Sequence, residues 1–281
     1  PILEDENVDI GVVTHGQGLN WLQITLHGKE SHTGSTPMPK RVNAGLGMAK
    51  ITQLVDEIAW SHAPLAVGAI GHADVYPNSR NIIPGKVVFT VDFRHPKKEV
   101  IQDMEDRLRS GAAKIAEDIG LTMEIEKVGN FDPVEFDVNC VEMVRSAAKT
   151  LGYSHMNIVS GAGHDACWIN RVAPTAMVMC PCVDGLSHNE AEEITKDWST
   201  AGADVLFHAV VNTAEIIDFL NDSGEIQNVD SDTSQNLGTP LAAIIAATDA
   251  VNDIGVVITS SPGFISFANK AVVIADVAEL T

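Results

Sequence analysis

The sequence predicts an α/β protein in which a β-α-β-β-α-β block precedes a second block of alternating strands and helices. Two patterns support this prediction. From residue 17 to 130, apolar residues alternate in short runs and recur at helical spacing in longer runs. From residue 131 to 220, strand-like and helix-like runs take turns along the chain, which is the order of an α/β layer.

The first block contains four predicted strands and two predicted helices in the ferredoxin-like order. The strands are expected at Leu19–His27, Ala66–Val75, Lys86–Arg94 and Leu121–Val128. The helices are expected at Val42–Trp60 and Lys97–Ile119. Gly120 follows the second helix, and glycine readily adopts the left-handed conformation that ends many helices.

The second block is expected to form a parallel sheet, because strands that alternate with helices usually pack that way. Its helices are predicted at Asn139–Leu151 and Trp198–Leu220, and its strands at Met156–Val159 and Ala176–Met179. After Asp222 the composition becomes polar and then apolar, and we assign no function to this tail. The tail contains a predicted helix at Pro240–Val251 and strand-like runs at Ile254–Thr259 and Ile265–Ala268.

Composition excludes several classes of protein. The chain has 38 acidic and 18 basic residues and a formal net charge of −20, so nucleic acids and anionic membranes would repel it. No apolar run is long enough to span a membrane, and the acidic first residues do not resemble a signal peptide. The 4 cysteines form no CxxC pair, which favours buried thiols in a reducing cytoplasm over disulfides or a metal pair at Cys180 and Cys182.

Three polar clusters in predicted loops are candidates for chemistry. The first is Gly28–Met38, where His32 is surrounded by small residues and could serve as a proton donor or oxyanion partner. The second is Asn78–Gly85 with Arg94 on the following strand, since an arginine can hold a carboxylate through two hydrogen bonds. Taken alone, the first cluster is more simply interpreted as a polar loop with an exposed histidine. The second is more simply interpreted as a hairpin turn with a surface Asp–Arg pair.

The third cluster consists of two histidine-containing loops that follow predicted strands. His164 lies in Ser160–Ala166, and His188 lies in Asp184–Glu190. Histidines among small residues at strand ends are typical of metal ligands and catalytic groups, although a single histidine is more often structural. No Gly-x-Ser-x-Gly or His-Glu-x-x-His pattern occurs, so neither a serine hydrolase elbow nor a zincin helix is indicated.

Together these segments resemble the group of dinuclear metallo-amidohydrolases that contains N-carbamoyl-L-amino-acid hydrolases, allantoate amidohydrolases and β-ureidopropionases. These enzymes are relatives of the zinc aminoacylases and carboxypeptidases. The matching segments are GVVTHGQGLNWLQITLHGKESHTGSTPM at 11–38, NSRNIIPG at 78–85, DFR at 92–94, SGAGHDA at 160–166 and DGLSHNEAE at 184–192. The resemblance covers about residues 1 to 220.

The resemblance implies a domain organisation. Residues 1–10 would be a remnant of the catalytic domain, and 11–130 a ferredoxin-like dimerisation or lid domain. Residues 131–220 would form the C-terminal half of a metallopeptidase-like α/β catalytic domain, and 221–281 an unassigned acidic tail.

The resemblance also implies roles for individual residues. His32 resembles the catalytic histidine that reaches the neighbouring subunit's active site and stabilises the tetrahedral oxyanion. Asn81 and Arg94 resemble the residues that hold the substrate carboxylate. Gly163 and His164 resemble the loop that lines the substrate pocket.

A pair of divalent metal ions, Zn, Mn, Co or Ni, is implied for the complete enzyme, with His188 as the last metal ligand. In this group the remaining ligands and the general-base glutamate precede the lid domain, and Pro1 resembles the end of the last such segment. Because each metal needs three or more ligands, we expect the chain by itself to be catalytically incompetent unless another fragment supplies them.

The sequence therefore predicts a hydrolase that cleaves the C–N bond of an N-carbamoyl amino acid or a related ureido acid. A non-catalytic dimerisation module and an exopeptidase or aminoacylase relative remain alternatives. Carbamoyl amino acids, allantoate and β-ureidopropionate share a carboxylate and a ureido group, so the sequence does not decide among them. The expected partners are this small substrate and a second copy of the chain, bound through the ferredoxin-like block.

Overall fold

The structure is a computed structural model. The residues that it describes are 1–187, 189–211, 242–247, 254–259 and 271–273. They form two compact units, Gln17–Val134 and a second one made of Pro1–Gly16 with the described residues from Glu135 onward. Among the described helices, none has both the length and the apolar character needed to cross a membrane.

The chain begins in the second unit, with a short helix and a strand, and then enters the ferredoxin-like unit. These first two elements are α1 (Ile2–Asp5) and β1 (Ile10–Gly16). The elements of the ferredoxin-like unit are β2 (Gly18–His27), β3 (Ser31–His32), α2 (Ala44–Trp60), β4 (Val67–Tyr76), β5 (Ile82–Ile83), β6 (Lys86–His95), α3 (Lys98–Ile119) and β7 (Thr122–Phe131). A 3₁₀ turn, Met38–Lys40, precedes α2.

The four long strands of this unit form one antiparallel sheet in the order β4-β6-β2-β7. This is the strand order of the ferredoxin-like fold, so the predicted fold class is confirmed for this unit. The predicted boundaries differ from the observed ones by three residues or fewer. Gly120 ends α3 with a φ of 79°, in the left-handed conformation that its type favours.

One face of the sheet carries the core of the unit. Alternate residues of β2 and β6 point to α2 and α3, because successive side chains of a strand lie on opposite faces. The fully buried side chains of this core include Leu22, Ile24, Leu26, Phe89, Phe93, Ile51, Ile58, Met104 and Leu108. Burial of each such side chain stabilises the fold by about 1.5–3 kcal/mol.

A buried carboxylate ties α3 to two strands. Glu105 is 3% exposed, and its oxygens accept from Asn20 Nδ2 on β2 at 2.7 Å and from Lys127 Nζ on β7 at 2.7 Å. Arg109 Nη2 on α3 lies 2.8 Å from the same carboxylate. Burial by itself raises the pKa of Glu105, but the hydrogen bonds from Lys127 and Arg109 outweigh it and hold the pKa below its ordinary value.

The second unit is built around one sheet, in which β1 pairs with several other strands. Its remaining elements are β8 (Val134–Glu135), α4 (Val138–Leu151), β9 (His155–Ser160), α5 (Asp165–Ile169), β10 (Thr175–Met179), α6 (Lys196–Val211), β11 (Ala242–Ala247), β12 (Ile254–Thr259) and β13 (Ala271–Val273). Strand β1 pairs parallel with β9 and antiparallel with β10. The sheet is therefore mixed, and the expectation of a purely parallel sheet is wrong.

Two further differences from the predictions concern segment assignment. Residues 11–16 were expected in the ferredoxin-like domain, but they belong to β1, whose Val12 and Val13 are buried in the second unit. The run Pro240–Val251 was expected to be helical, but it contains strand β11, which pairs with β12. The predicted strand at Ile265–Ala268 and the end of the predicted helix beyond residue 211 lie outside the described residues.

We predict that Glu105→Gln lowers the free energy of unfolding by about 1–3 kcal/mol at pH 7, because a buried charge-assisted network loses its anion. Because the pKa of Glu105 is lower in the folded than in the unfolded protein, its full stabilising contribution is present above the unfolded-state pKa. The contribution declines as the pH falls below about 4. Urea unfolding of both proteins between pH 3 and 7 measures the difference.

A matched control for this measurement lies on the same helix. The Asp118 carboxylate is more than half exposed and 3.4 Å from Lys114 Nζ, so Asp118→Asn removes only a surface pair, at a cost of no more than about 0.5 kcal/mol. Equal losses for the two variants, or a Glu105→Gln loss that is independent of pH, would contradict the role given to Glu105.

Candidate functional site

Five of the six predicted site residues lie in the described part of the chain. Three of them, His32, Asn81 and Arg94, belong to the ferredoxin-like unit, and Gly163 and His164 belong to the second unit. The sixth, the predicted metal ligand His188, lies outside the described residues.

A two-residue ladder brings His32 and Asn81 together. Strand β3 pairs antiparallel with β5, with Ser31 opposite Ile83 and His32 opposite Ile82. The backbone N–H of Thr33 then donates to the carbonyl oxygen of Asn81 at 3.0 Å. The two predicted residues come from loops that are 49 positions apart in the sequence, and this pairing makes them neighbours.

The imidazole of His32 is held by the turn that follows it. Its Nδ1 atom accepts hydrogen bonds from the backbone N–H groups of Gly34, at 3.0 Å, and Ser35, at 3.1 Å. A neutral imidazole whose Nδ1 accepts must carry its hydrogen on Nε2. His32 is exposed, so its Nε2–H can donate a hydrogen bond to an oxyanion from outside the unit.

The side chain of Asn81 is oriented by its neighbour Ser79. The hydroxyl of Ser79 donates to Asn81 Oδ1 at 2.8 Å. Because the oxygen is engaged in this way, the Nδ2 group is the end of this exposed amide that can donate to a ligand.

Arg94 is held on its strand by a carboxylate two residues away. Its Nη2 atom is 2.7 Å from Asp92 Oδ2, and its Nε atom is 3.1 Å from both Asp92 oxygens. Both side chains are about one-quarter exposed, at 25% and 26%, on the sheet face opposite the helices. The Asp–Arg pair that the sequence suggested therefore exists, and it orients the guanidinium.

The structure does not bring Arg94 to the other two residues of its unit. Arg94 lies opposite Leu19, at the beginning of β2, whereas the β3–β5 ladder lies beyond the pair formed by His27 and Lys86. Arg94 lies eight residue steps along the extended strand from Lys86, which corresponds to about 26 Å. Within one chain, one carboxylate cannot contact both Arg94 and the pair His32–Asn81.

In the second unit, Gly163 and His164 lie in the loop between β9 and α5. Because β9 runs parallel to β1, this loop follows the carboxyl end of a parallel strand, where ligands commonly bind. His164 Nδ1 accepts from the N–H of Ala166 at 3.1 Å and caps α5. A methyl group added at Gly163 would meet no atom of the described residues within 4 Å. Packing within this part of the chain thus gives no reason for a glycine at this position.

The cysteines do not provide a nucleophile. All four are buried and none forms a disulfide, which agrees with the predicted buried thiols. Burial raises the pKa of Cys180 to about 12 and also raises the pKa of Cys167, so both thiols stay protonated at neutral pH.

Metal ligands do not gather in the described part of the chain. Residues 1–187, 189–211 and the three tail strands contain no group of three or more His, Cys, Asp or Glu side chains placed to hold a metal ion. The described residues by themselves therefore do not fit the implied metal pair, and we derive no chemical step through it.

One residue near His32 has no signal in the sequence. Arg41 is half-buried and donates to backbone carbonyls in the turn that holds the imidazole. No local pattern distinguishes this arginine, because its partners are main-chain oxygens that any residue would provide.

Comparisons with known proteins identify the family of the chain. The model of the peptidase family M20/M25/M40 matches residues 1–212. The chain belongs to this family. The predicted family resemblance is thus confirmed. The tail from residue 213 onward lies outside the match.

This M20 chain is similar to an N-carbamoyl-L-amino-acid amidohydrolase of Rhizobium meliloti, with 62% identity over 218 residues, 78% of this chain and 52% of that protein. The corresponding Paenarthrobacter aurescens protein is 35% identical over 75% of the chain and 51% of its own length. A crystal structure of a hydantoinase/carbamoylase family amidase from Burkholderia multivorans matches with a TM-score of 0.74 and 53% identity, over 76% of this chain and 52% of that one. The M20 chain spans about half the length of these relatives.

We predict that Gly163→Ala leaves the thermal midpoint of this M20 chain unchanged within about 1 °C, because the added methyl group meets no atom of residues 1–187 and 189–211. Gly28→Ala is the contrasting variant, since its methyl group would overlap the carbonyl oxygen of Val42 and should lower the midpoint by several degrees. Differential scanning calorimetry measures both. Equal destabilisation would show that Gly163 is needed for folding rather than for a ligand.

Proposed function

We propose that this chain is part of a metal-dependent amidohydrolase that cleaves the C–N bond of an N-carbamoyl amino acid or a related ureido acid. The observation that carries the proposal is the imidazole of His32, which two backbone N–H groups hold with its Nε2 hydrogen available as a donor. Attack on a ureido carbonyl creates an oxyanion, and a fixed donor aimed at this charge lowers the barrier. The names of the similar proteins support the same reaction.

The proposed substrate contacts follow from the side chains on the ferredoxin-like unit. Arg94 would bind the substrate carboxylate, and the Nδ2 group of Asn81 would donate to a neighbouring polar atom. A chain with a net charge of −20 repels an anion at long range, so local charge-assisted hydrogen bonds must supply the attraction. Gly163 and His164 would line the pocket, where the missing side chain leaves room for the substrate.

A second copy of the chain is part of this proposal. His32 and Asn81 lie beyond the Lys86 end of β6, and Arg94 lies near its other end, with about 26 Å of extended strand between Lys86 and Arg94. A substrate of a few ångströms can contact both groups only if they come from different copies. We therefore propose a homodimer in which His32 and Asn81 of one copy act on a substrate that is held by Arg94 of the other.

The proposed cofactor is a pair of divalent ions, Zn, Mn, Co or Ni, with His188 as one ligand. When bound, such ions polarise the scissile carbonyl and activate water. The described residues contain no cluster that would hold the ions alone, so the remaining ligands must come from elsewhere in the assembled enzyme. A reducing cytoplasm is the proposed location, supported by four cysteines without a disulfide.

We predict that Arg94→Ala weakens binding of an N-carbamoyl amino acid about 10- to 100-fold, because a charge-assisted hydrogen bond is worth about 1.5–3 kcal/mol. Binding of the matching amide, which lacks the carboxylate, should be unaffected. Isothermal titration calorimetry measures both ligands.

Arg107→Ala is the control for charge removal, since Arg107 is 3.8 Å from Asp103 on the surface of α3. This variant should bind both ligands normally. Unchanged carboxylate binding by Arg94→Ala would overturn the assignment. Failure of every protein to bind a ureido acid would instead favour the non-catalytic dimerisation module.

We also predict that Asn81→Ala and Arg94→Ala subunits complement each other when mixed. If the two residues act from different copies, half of the mixed population consists of heterodimers with one intact site each, and the sites recovered amount to about a quarter of wild type. Titration of bound carbamoyl amino acid measures the fraction of intact sites. Recovery of no sites would place both residues on the same copy.

A further inference from the structure

We propose that Arg41 is a positioning residue that keeps His32 in the tautomer that donates from Nε2. The inference is about the structure of the His32 turn, and its meaning for catalysis rests on the function proposed above. Arg41 is not one of the residues that the resemblance implicates.

The turn that contains His32 is part of a closed loop. An antiparallel bridge joins Lys29 to Val42, and the N–H of Lys29 donates to the carbonyl oxygen of Val42 at 2.8 Å. Arg41 is the residue immediately before this closure, and its own N–H donates to the carbonyl oxygen of Met38 at 3.2 Å. The backbone of Arg41 is therefore fixed at the C-terminal end of the closed loop, whereas His32 lies near its N-terminal end.

From this base the side chain of Arg41 reaches across to the turn. Its Nη2 atom donates to the carbonyl oxygen of Thr33 at 2.6 Å, and its Nε atom donates to that of Thr36 at 3.0 Å. These two carbonyls flank Gly34 and Ser35, the residues whose N–H groups donate to His32 Nδ1. The guanidinium thus holds both ends of the segment that fixes the imidazole.

The planar guanidinium suits this task because it presents several N–H donors in a rigid fork. Two charge-assisted bonds to carbonyls on either side of Gly34 and Ser35 fix the direction of the intervening N–H groups. Without the guanidinium, water replaces these bonds one at a time, and the N–H groups can turn away from Nδ1. The imidazole hydrogen can then occupy Nδ1 as well as Nε2. A lysine in place of Arg41 has a single ammonium group and can hold only one of the two carbonyls well.

The tautomer of His32 can be observed directly, without turnover. In ¹⁵N-histidine-labelled protein in alkaline buffer, where imidazole is neutral, the Nδ1 and Nε2 shifts report which nitrogen carries the hydrogen. His32→Gln identifies the signals of His32 among the 10 histidines of the chain. We expect the wild type to show the Nε2–H form alone and Arg41→Met to show a mixture, with Arg41→Lys between them.

The matched control is Lys40→Met. Lys40 is exposed, is the last residue of the 3₁₀ turn that precedes Arg41 and carries the same charge, so this variant removes one positive charge next to Arg41. It should leave the His32 signals unchanged. If it shifts them as much as Arg41→Met does, charge rather than the two hydrogen bonds is responsible, and the proposal is wrong.

The outcomes separate this inference from the proposed function. If Arg41→Met keeps the wild-type tautomer, the positioning role is overturned, whatever the activity. If the tautomer changes in Arg41→Met, the positioning role stands even when no ureido acid is hydrolysed. Where turnover is measured, kcat should fall about tenfold with KM nearly unchanged, because the donor acts on the oxyanion and not on the bound carboxylate.

Folding of the variant is checked by circular dichroism. If Arg41→Met does not fold, the spectrum of Arg41→Lys decides the question. A pure Nε2–H signal in folded Arg41→Lys would contradict the need for two hydrogen bonds, and a mixture would support it.

Discussion

The antiparallel pairing of β2 with β6 is the interaction on which the ferredoxin-like unit and its candidate site depend. Ten consecutive residue pairs, from Gly18 opposite His95 to His27 opposite Lys86, hold these strands together. This register turns Phe89 towards the helices and leaves Arg94 on the opposite face. A slip of one residue would exchange the two faces, bury a charged pair and expose the core.

The same pairing also sets the distance between the functional groups. Beyond His27 and Lys86 the two chain segments come together again as β3 and β5, and this extension carries His32 at the end away from Arg94. The sheet is a stiff spacer, because its strands are hydrogen-bonded along their length and Glu105 ties β2 and β7 to α3. Its length is what makes two copies necessary in the proposed site. In the proposed function, the dimer would therefore be required for the chemistry as well as for stabilising the fold.

Most elements of the fold could be predicted because their signals are local. Helix α3 ends at Ile119 as expected, since a periodic apolar stripe and Gly120 both mark that end. The prediction failed where local signals are ambiguous. The segment that contains β11 is short and rich in alanine and isoleucine, and such a run fits a strand or a helix equally well until a partner such as β12 is present. For the same reason, the antiparallel pairing of β1 with β10 could not be read from the alternation of strands and helices.

For the candidate site, the sequence by itself determined the residue types, the loops that carry them and the family to which they point. Only the tertiary structure decided which of these residues meet. It placed His32 beside Asn81, set Arg94 apart from both, and made Arg41 a partner of the His32 turn. The physical reason is that these relations depend on hydrogen bonds between backbone groups far apart in the chain. Every residue has such groups, so no local pattern of side chains specifies which ones will pair.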